Sequence, residues 1–298
     1  MPLELKIPSF AKINLGLRIV GRREDGYHEL CTVFQTISLH DELIFSEADE
    51  LRLECDGEVA VPVDGNIILK AAEWLRSRFG VSAGARIVLR KRIPSPGGLG
   101  GGSSNAAVSL LALRRLWRID IGIGELLTIG RALGADVPFF LFGGTALGTG
   151  RGDVIESLSD VDLPPILLVV PNAEVGTAEA FARVNSHSLT SESSNRILQI
   201  CRSEAESAVF LQGTLNNDLE PSVFETFPEV RRVKETLIRL GAVTAAMSGS
   251  GASVFAIFDK EETRQTALKA LDAEVNWRKF AVAAISRDQY RDALRLVF

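Results

Sequence analysis

Apolar and polar side chains alternate near the start of the chain. From residue 13 to residue 19, isoleucine or leucine occupies every second position, with Asn14, Gly16 and Arg18 between them. This period of two predicts a half-buried β-strand with Lys12 and Asn14 on its polar face. Similar stretches predict further strands near residues 30–38, 42–46, 50–55 and 85–92. The first part of the chain is therefore expected to be rich in β-structure.

A helical pattern interrupts these strands. Asn66 is a favourable N-cap, and Gly80 is a typical C-terminal stop for a helix. Between them, apolar residues recur along one stripe: Ile68, Ala71, Ala72, Leu75 and Phe79. Further helices are predicted at about 103–117 and 124–133.

The pattern changes after the Leu-Pro-Pro sequence at 163–165, which follows a glycine-rich stretch and is the most plausible domain junction. A buried strand is predicted at 166–170, and several helices at roughly 177–240. Strands near 243–247, 253–258 and 279–285 bracket a helix at about 260–271. This order indicates an α+β protein rather than a strict βαβ alternation. We expect two domains, residues 1–162 and 163–298.

Composition excludes several classes of protein. The 298 residues carry 33 basic and 38 acidic side chains, a net charge of −5, and the basic residues are scattered rather than clustered as on a nucleic-acid surface. The apolar runs are far shorter than the ~18 residues of a membrane span, and the N-terminus does not resemble a secretory signal, so a cytoplasmic protein is expected. Cys31, Cys55 and Cys201 form no CxxC pair, which argues against a zinc site or disulfide scaffold.

The segment with the most chemical information follows the predicted strand 85–92. It is rich in glycine, leads directly into a helix, and comprises Pro94, Ser95, Pro96, Gly97, Gly98, Leu99, Gly100, Gly101, Gly102, Ser103 and Ser104. Glycines persist in such a run where positive φ or close backbone approach is needed. The helix N-terminus offers N–H groups and a positive dipole end, so the segment is a candidate phosphate site.

A hinge, a Walker loop and a dinucleotide fingerprint each fit this segment less well. A flexible hinge would not need the preceding prolines or an alanine-rich helix immediately afterwards. No lysine follows the glycines as a Walker loop requires, and the third glycine of a dinucleotide fingerprint falls on Ser103 or Asn105. A phosphate-binding loop of another kind remains.

Three blocks together resemble the GHMP kinases, a family of small-molecule kinases. They are Ala-Lys-Ile-Asn-Leu at 11–15, Gly-Leu-Gly-Gly-Gly-Ser-Ser-Asn-Ala-Ala at 98–107 and Met-Ser-Gly-Ser-Gly-Ala-Ser-Val-Phe at 247–255. The resemblance implies a two-lobed α+β fold with a β-rich N-terminal lobe and a ferredoxin-like C-terminal lobe. It departs from the common pattern at Ser9, Phe10, Pro96 and Asn105.

Within that family, the run at 11–15 followed by Asp-Gly-Tyr-His-Glu-Leu at 25–30 is similar to members that phosphorylate the 2-hydroxyl of a cytidine-diphosphate-linked methylerythritol, on the non-mevalonate route to isoprenoids. The segments at 134–139, 143–146 and 150–152 match the same members. Two alternatives remain: a GHMP kinase for another alcohol such as mevalonate or homoserine, and a non-catalytic nucleotide-binding relative.

The resemblance assigns the chemistry to Lys12 and Asp136. Asp136 would take the proton of the attacking hydroxyl, and Lys12 would lie beside it, where each charge favours the other. Without that resemblance, Asp136 reads equally well as a helix N-cap, and Lys12 as a solvated strand lysine.

The resemblance also implies a contact surface for cytidine. Tyr27 and Phe181 would enclose the cytosine ring, and His28 would hydrogen-bond its edge. Asn14 would contact the erythritol end, and Thr177 would lie near Phe181. On sequence alone, Tyr27 and His28 read equally well as exposed side chains of a turn.

For ATP, the resemblance adds Asn66 and Lys91 to the glycine-rich segment, and Asn66 keeps its separate role as a helix cap. Mg²⁺ travelling with ATP is implied by the chemistry, and no dedicated carboxylate cage is visible for it. The expected partners are small molecules, with no nucleic acid and no membrane, and the protein is either a monomer or a homodimer.

Overall fold

A computed structural model of the chain describes residues 4–56, 65–183 and 215–295, together with residues 199, 202 and 203. Two β-sheets lie at its centre, and helices cover their outer faces. The two-lobed α+β architecture expected from the sequence is confirmed.

The first sheet has six strands, of which β1 and β2 are by far the longest. The strands are β1 Glu4–Arg22, β2 His28–Ala48, β3 Leu51–Asp56, β4 Gly84–Arg90, β5 Thr145–Gly150 and β6 Val154–Ser157. The order β3-β4-β2-β5-β6 runs across the sheet, and β1 pairs antiparallel with β2. β1 and β2 thus form one long hairpin.

Separate strands at 30–38 and 42–46 were expected, and the structure instead has one continuous strand of 21 residues. The pairing steps from Phe10 opposite His40 to Ala11 opposite Ile37. Extra residues of β2 are therefore accommodated in a bulge, and the ladder continues on both sides of it. Polar residues at a bulge look like a strand end in the sequence, which explains the incorrect boundary.

Three helices pack on one face of the first sheet: α1 Ile67–Phe79, α2 Gly101–Leu116 and α3 Ile123–Leu133. The predicted caps of α1 are confirmed. Asn66 Oδ1 accepts a hydrogen bond of 2.9 Å from the Ile68 N–H, and Gly80 adopts φ 64°. α2 begins two residues earlier than expected, at the glycines themselves.

The second sheet contains β7 Ile166–Val170, β8 Thr244–Met247, β9 Val254–Ile257 and β10 Arg278–Val282. Its helices are α4 Thr177–Ala182, α5 Glu220–Thr226, α6 Pro228–Arg239 and α7 Glu261–Ala270. The strand order β10-β7-β9-β8 with antiparallel pairing is the ferredoxin-like arrangement that the family resemblance implied.

β7 shows how the layers are held together. Ile166, Leu168 and Val170 face the apolar layer between the two sheets, whereas Leu167 and Val169 face the helices on the far side. A strand buried on both faces gives the continuous apolar run from which it was predicted. The contact between the sheets fixes one lobe against the other.

The last helix, α8 Arg287–Leu294, was not predicted and returns to the first lobe. Tyr290 is buried in the core of that lobe, and its O–H donates a hydrogen bond of 2.6 Å to the carbonyl oxygen of Phe140. Its ring lies where a Cβ at Gly143 would be, 2.3 Å from the nearest ring atom. The predicted domain boundary between residues 162 and 163 stays a prediction. α8 follows that boundary in the sequence, but it packs into the core of the first lobe.

Candidate active site

The two lobes enclose a cleft of about 1090 Å³, at the upper end of the range for small-molecule sites. The glycine-rich segment, the β1–β2 turn, α4 and two shorter turns form its walls. The cleft is lined at 94–103, 26–28, 134–136, 249–251 and parts of 175–182. Lys12 and Asn14 on β1 also line it. Most of the residues singled out in the sequence therefore meet in one place.

The glycine loop, residues 94–104, needs its glycines for two distinct reasons. Gly98 and Gly100 have φ of 70° and 69°, which only glycine adopts at low cost. A Cβ at Gly98 would also lie 2.0 Å from the carbonyl oxygen of Ser248, and one at Gly100 would lie 2.8 Å from the Phe140 ring. No side chain caps the start of α2, so its first N–H groups are available to an anion in the cleft.

Lys12 and Asp136 lie next to each other at the base of this loop. The Lys12 ammonium is 3.4 Å from Asp136 Oδ2 and donates a hydrogen bond of 2.6 Å to Asn14 Oδ1. Lys12 is 3% exposed and Asp136 is 32% exposed, so the carboxylate faces the cleft while the ammonium is held from behind. Asn14 in turn donates to Thr32 Oγ1 at 2.7 Å.

Asp136 does not cap a helix in this structure. The 3-10 helix Phe139–Leu141 begins after Pro138, and no side chain caps it. The carboxylate instead faces Lys12, and both side chains of this pair line the cleft. A neighbouring base and cation are what transfer of a phosphoryl group to an alcohol requires.

The opposite wall carries aromatic rings. The rings of His28 and Phe181 stack with their centroids 5.6 Å apart and an angle of 25° between planes. Tyr27 is 58% exposed, and the Arg151 guanidinium lies 5.2 Å from its ring centre. Thr177 Oγ1 is 3.0 Å from Ser250 Oγ. Enclosure of a base by Tyr27 and Phe181 stays a prediction, because Phe181 stacks with His28 here.

The charge of the cleft contrasts with that of the whole chain, which is −5. Its charged lining residues are Lys12, Arg22, Arg131, Arg151 and Asp136. Cations thus outnumber carboxylates where a ligand would bind, which attracts anionic ligands such as phosphates. Burial, with a smaller effect of Arg22, lowers the pKa of His28 below its ordinary value of 6.5, so the imidazole is neutral at pH 7.

Comparison with known proteins identifies the family. Residues 66–144 match the family described as GHMP kinases N terminal domain, and residues 194–276 match GHMP kinases C terminal. The chain is 41% identical to the 4-diphosphocytidyl-2-C-methyl-D-erythritol kinase of Syntrophus aciditrophicus (strain SB) over 282 residues, 94% of this chain and 99% of the relative. The chain belongs to the GHMP kinase family.

Solved structures of GHMP kinases agree with that assignment. A crystal structure of 4-(cytidine 5'-diphospho)-2C-methyl-D-erythritol kinase has a TM-score of 0.76 and 33% identity, covering 94% of this chain and 99% of that one. A homoserine kinase from Cytophaga hutchinsonii has a TM-score of 0.68 and 18% identity, covering 96% of each chain. The second likeness is one of fold alone.

Three residues predicted to bind ATP do not line the cleft of this GHMP kinase: Asn66, Lys91 and Ser104. Asn66 instead caps α1. Ser104, the last residue of the loop, is buried, and its hydroxyl lies within hydrogen-bonding distance of Ser9 Oγ, at 2.8 Å. A direct role with ATP stays a prediction for all three.

Lys91 is part of a buried ionic cluster centred on Asp41, a residue that sequence reasoning missed. Lys91 Nζ lies 2.8 Å from Asp41 Oδ2 and also donates to the carbonyl oxygen of Ile93. Asp41 Oδ1 accepts from the N–H groups of Arg92 and Ile93 at 2.7 and 2.8 Å. Burial lowers the pKa of Lys91, and the Asp41 carboxylate opposes that shift. The cluster fixes the chain just before the glycine loop.

Two of the departures from the common family pattern contact each other in the same cluster. Ser9 Oγ donates a hydrogen bond of 2.6 Å to Asn105 Oδ1, and Asn105 Nδ2 donates to Asp41 Oδ2 at 3.1 Å. An amide can accept from one neighbour and donate to the other, so each buried polar atom in this chain of contacts has a partner.

The turn at residues 248–251 is the second feature that the sequence left without a role. Ser248 Oγ accepts from the Asn14 N–H at 3.3 Å and donates to the Gly98 carbonyl oxygen at 3.0 Å. A Cβ at Gly249 would lie 3.2 Å from Lys12 Nζ. The glycine-rich third block was a signal for this close approach, although its partner could not be read from the sequence.

The described part of the chain holds no group of three or more His, Cys, Asp or Glu side chains that could bind a metal ion. None of the helices in that part is long and apolar enough to cross a membrane. Cys31 is buried and Cys55 is exposed, and Cys201 lies outside the described residues.

Proposed function

We propose that this GHMP kinase transfers the γ-phosphate of ATP to the 2-hydroxyl of 4-diphosphocytidyl-2-C-methyl-D-erythritol. The observation that carries the proposal is the Lys12–Asp136 pair, with 3.4 Å between Nζ and Oδ2, between a glycine loop on one side and an aromatic wall on the other. The relatives that bear this substrate in their names match almost the whole chain.

Asp136 takes the proton of the attacking hydroxyl. Its carboxylate faces the cleft, which allows a substrate oxygen to approach within hydrogen-bonding distance. The Lys12 ammonium is held in position, because it is buried and donates a hydrogen bond to Asn14. It therefore stabilises the negative charge of the transferring phosphoryl group at a fixed position.

ATP lies with its phosphates on the glycine loop, where N–H groups at the start of α2 replace water as hydrogen-bond donors. A Mg²⁺ ion bound with ATP would shield the phosphate charge. The Ser103 hydroxyl lines the cleft beside the loop and would supply an oxygen ligand to such an ion. Ser103 also lies near the segment that carries Asp136, because its Oγ is 3.8 Å from the position that a Cβ on Gly134 would occupy.

The cytidine end of the substrate binds the aromatic wall. His28 is neutral at pH 7 and so can both donate to and accept from a pyrimidine edge. Phe181 and Tyr27 offer ring faces for stacking, and Thr177 lies beside them. ATP and cytidine nucleotides are intracellular metabolites, which supports a cytoplasmic site of action. The protein acts as a monomer or a homodimer.

Two alternatives are disfavoured by particular residues. Mevalonate and homoserine carry no ring, and a kinase for either would have no use for the stacked His28 and Phe181. A binding protein without turnover would not need both Lys12 and Asp136 in contact.

A panel of alcohols tests the proposal. Purified protein is incubated with ATP, Mg²⁺ and the cytidyl substrate, mevalonate or homoserine, and ADP is measured. We expect ADP release with the cytidyl substrate alone, and its loss in Asp136→Asn. Turnover of mevalonate or homoserine without turnover of the cytidyl compound would reject the substrate while leaving the family assignment intact.

A further inference from the structure

Asn217 lies behind the site, outside the residues that line the cleft, and it is 5% exposed. Its Nδ2 donates hydrogen bonds of 2.8 Å to the carbonyl oxygens of both Met247 and Gly249. Its Oδ1 accepts from the Leu219 N–H at 3.0 Å. Every polar atom of this amide is therefore engaged, and two of its bonds end on the turn that follows β8.

The segment around Asn217 is also bonded to β1, the strand that carries Lys12 and Asn14. The Leu17 N–H donates to the Asn216 carbonyl oxygen at 2.9 Å, and the Asp218 N–H donates to the Leu17 carbonyl oxygen at 3.0 Å. Asp218 Oδ2 accepts from the Ile19 N–H at 2.8 Å. Residues 216–218 thus join the catalytic strand of the first lobe to a turn of the second.

That turn lies close to the Lys12 and Asn14 side chains. The position of a Cβ on Gly249 is 3.2 Å from both Lys12 Nζ and Asn14 Oδ1. Ser248 bonds to the backbone of Asn14 and of Gly98, on the strand and on the glycine loop. A displacement of the turn would therefore move the ammonium relative to the phosphates.

Glu220 separately holds the end of β8, just before the turn. Glu220 Oε1 accepts from the Met247 N–H at 2.8 Å, and Lys234 donates to Glu220 Oε2 at 2.6 Å. Glu220 therefore fixes Met247, while the Asn217 amide reaches on to Gly249, the residue packed against Lys12.

We propose that Asn217 is a positioning residue for phosphoryl transfer. Its Nδ2 group holds the end of β8 and the turn at residues 248–251 against Lys12 and Gly98, and so fixes the Lys12 ammonium relative to the glycine loop. The proposal rests on the proposed kinase activity for its kinetic readout. Its structural readout, the rigidity of the turn, does not depend on the identity of the alcohol.

The competing possibility is that Asn217 only orders the start of α5 through its bond to the Leu219 N–H. Asn217→Asp separates the two roles. Aspartate is as good as asparagine at accepting a hydrogen bond near a helix start. It has no N–H to donate, and it would set a carboxylate oxygen against two carbonyl oxygens. A capping role predicts normal turnover for Asn217→Asp, whereas a positioning role predicts that this variant is worse than Asn217→Ala.

The experiment measures kcat, both KM values and melting temperature for the parent, Asn217→Asp, Asn217→Ala and Leu271→Ala. Leu271 is a buried core residue of the same lobe, so its truncation controls for lost stability. We expect kcat to fall about 10- to 100-fold in Asn217→Asp and less in Asn217→Ala, because small misplacements of reacting groups are costly. Both KM values should change less than kcat, and Leu271→Ala should keep the parent kcat when assayed below its melting temperature.

Deuterium exchange at the amides of residues 247–251 supplies a readout without catalysis. Exchange should be faster in both Asn217 variants and unchanged in Leu271→Ala. Parent-like kcat and exchange in Asn217→Asp, or kcat losses that merely follow melting temperature across all variants, would overturn the proposal. If the parent phosphorylates a different alcohol, the proposed substrate fails and the comparison proceeds with that alcohol. If the parent phosphorylates none, the exchange data alone decide the role of Asn217.

Discussion

The two walls of the cleft are held in opposite ways. On the glycine-loop wall, Lys12 is 3% exposed and is supported by buried polar contacts, including the Asp41–Lys91 pair beneath the loop. On the aromatic wall, Tyr27 is 58% exposed at the tip of a hairpin. Phosphoryl transfer requires accurate positions of the reacting groups, whereas stacking requires only that a ring face be open to the base. The wall proposed to perform the chemistry is therefore the rigid one, and the wall proposed to recognise the substrate is the accessible one.

The largest expected effect is on the rigid wall, from Asp136→Asn. The amide keeps the size of the side chain but cannot take a proton, and a positioned general base typically contributes about 10²–10⁴-fold to the rate. Turnover should fall by that amount while both substrates still bind. Single-turnover rates and calorimetry measure the two quantities.

Combining Lys12→Met with Asp136→Asn tests whether Lys12 and Asp136 act as one unit. The losses of the single variants should then be less than additive in the double variant. Unchanged single-turnover rates in Asp136→Asn, together with weaker ATP binding, would make Asp136 a phosphate-side or metal-side residue and not the base.

The second effect concerns the stability of the same wall. Asp41→Ala leaves the buried Lys91 ammonium without its carboxylate, and such a loss costs about 3–5 kcal/mol of unfolding free energy. Glu54→Ala is the matched control, because the Glu54–Arg86 pair is half exposed and should cost about 0–1 kcal/mol. Urea unfolding of both variants checks this. Equal small losses would mean that buried ionic contacts do not hold the loop.

On the aromatic wall, Phe181→Ala should weaken binding of the cytidyl substrate by about 1–3 kcal/mol, the usual contribution of a ring stacked on a base. ATP binding should not change, since Phe181 lies on the other wall. Calorimetry with each ligand separates the two. A variant with lower melting temperature and normal affinity for the cytidyl substrate would show that Phe181 serves packing alone.

The smallest effect is a pH dependence of the aromatic wall. Since burial lowers the pKa of His28 below 6.5, the folded protein binds fewer protons there than the unfolded chain. The associated stability is present above pH 6.5 and is lost as the pH falls through the lowered value. KM for the cytidyl substrate should rise over the same interval, because the protonated ring cannot accept a hydrogen bond from the cytosine edge.

His28→Gln should flatten that rise, and KM for ATP should show no corresponding change. Steady-state assays from neutral pH down to about pH 5 provide both values. An identical pH dependence in His28→Gln would assign the titration to another group of the site.

The features of the site that could be predicted from the sequence are those that depend on neighbouring residues. The start of α1 at Asn66 and the glycine loop depend on local signals, namely a cap and a run of residues that tolerate positive φ. Such signals lie within a few residues of the structure they determine, so they can be read directly from the sequence.

The supports of the site depend on partners distant in the chain. Asp41 meets Lys91 fifty residues later, and Asn14 meets Ser248 across the two lobes. Lys91 was assigned to ATP by resemblance because nothing in the sequence indicates a buried carboxylate beside it. The continuity of β2 was missed for a related reason, since only its pairing with β1 reveals the bulge.

The position of α8 has a consequence for the order in which the molecule is made. Tyr290 and Leu294 belong to the same apolar core as the earlier helices of the first lobe. Domains usually fold as units during synthesis, beginning with the N-terminal one. Here the first lobe lacks part of its core until residues 290–294 have left the ribosome. The strand that carries Lys12 emerges long before Tyr290, whose hydroxyl bonds to the Phe140 carbonyl oxygen.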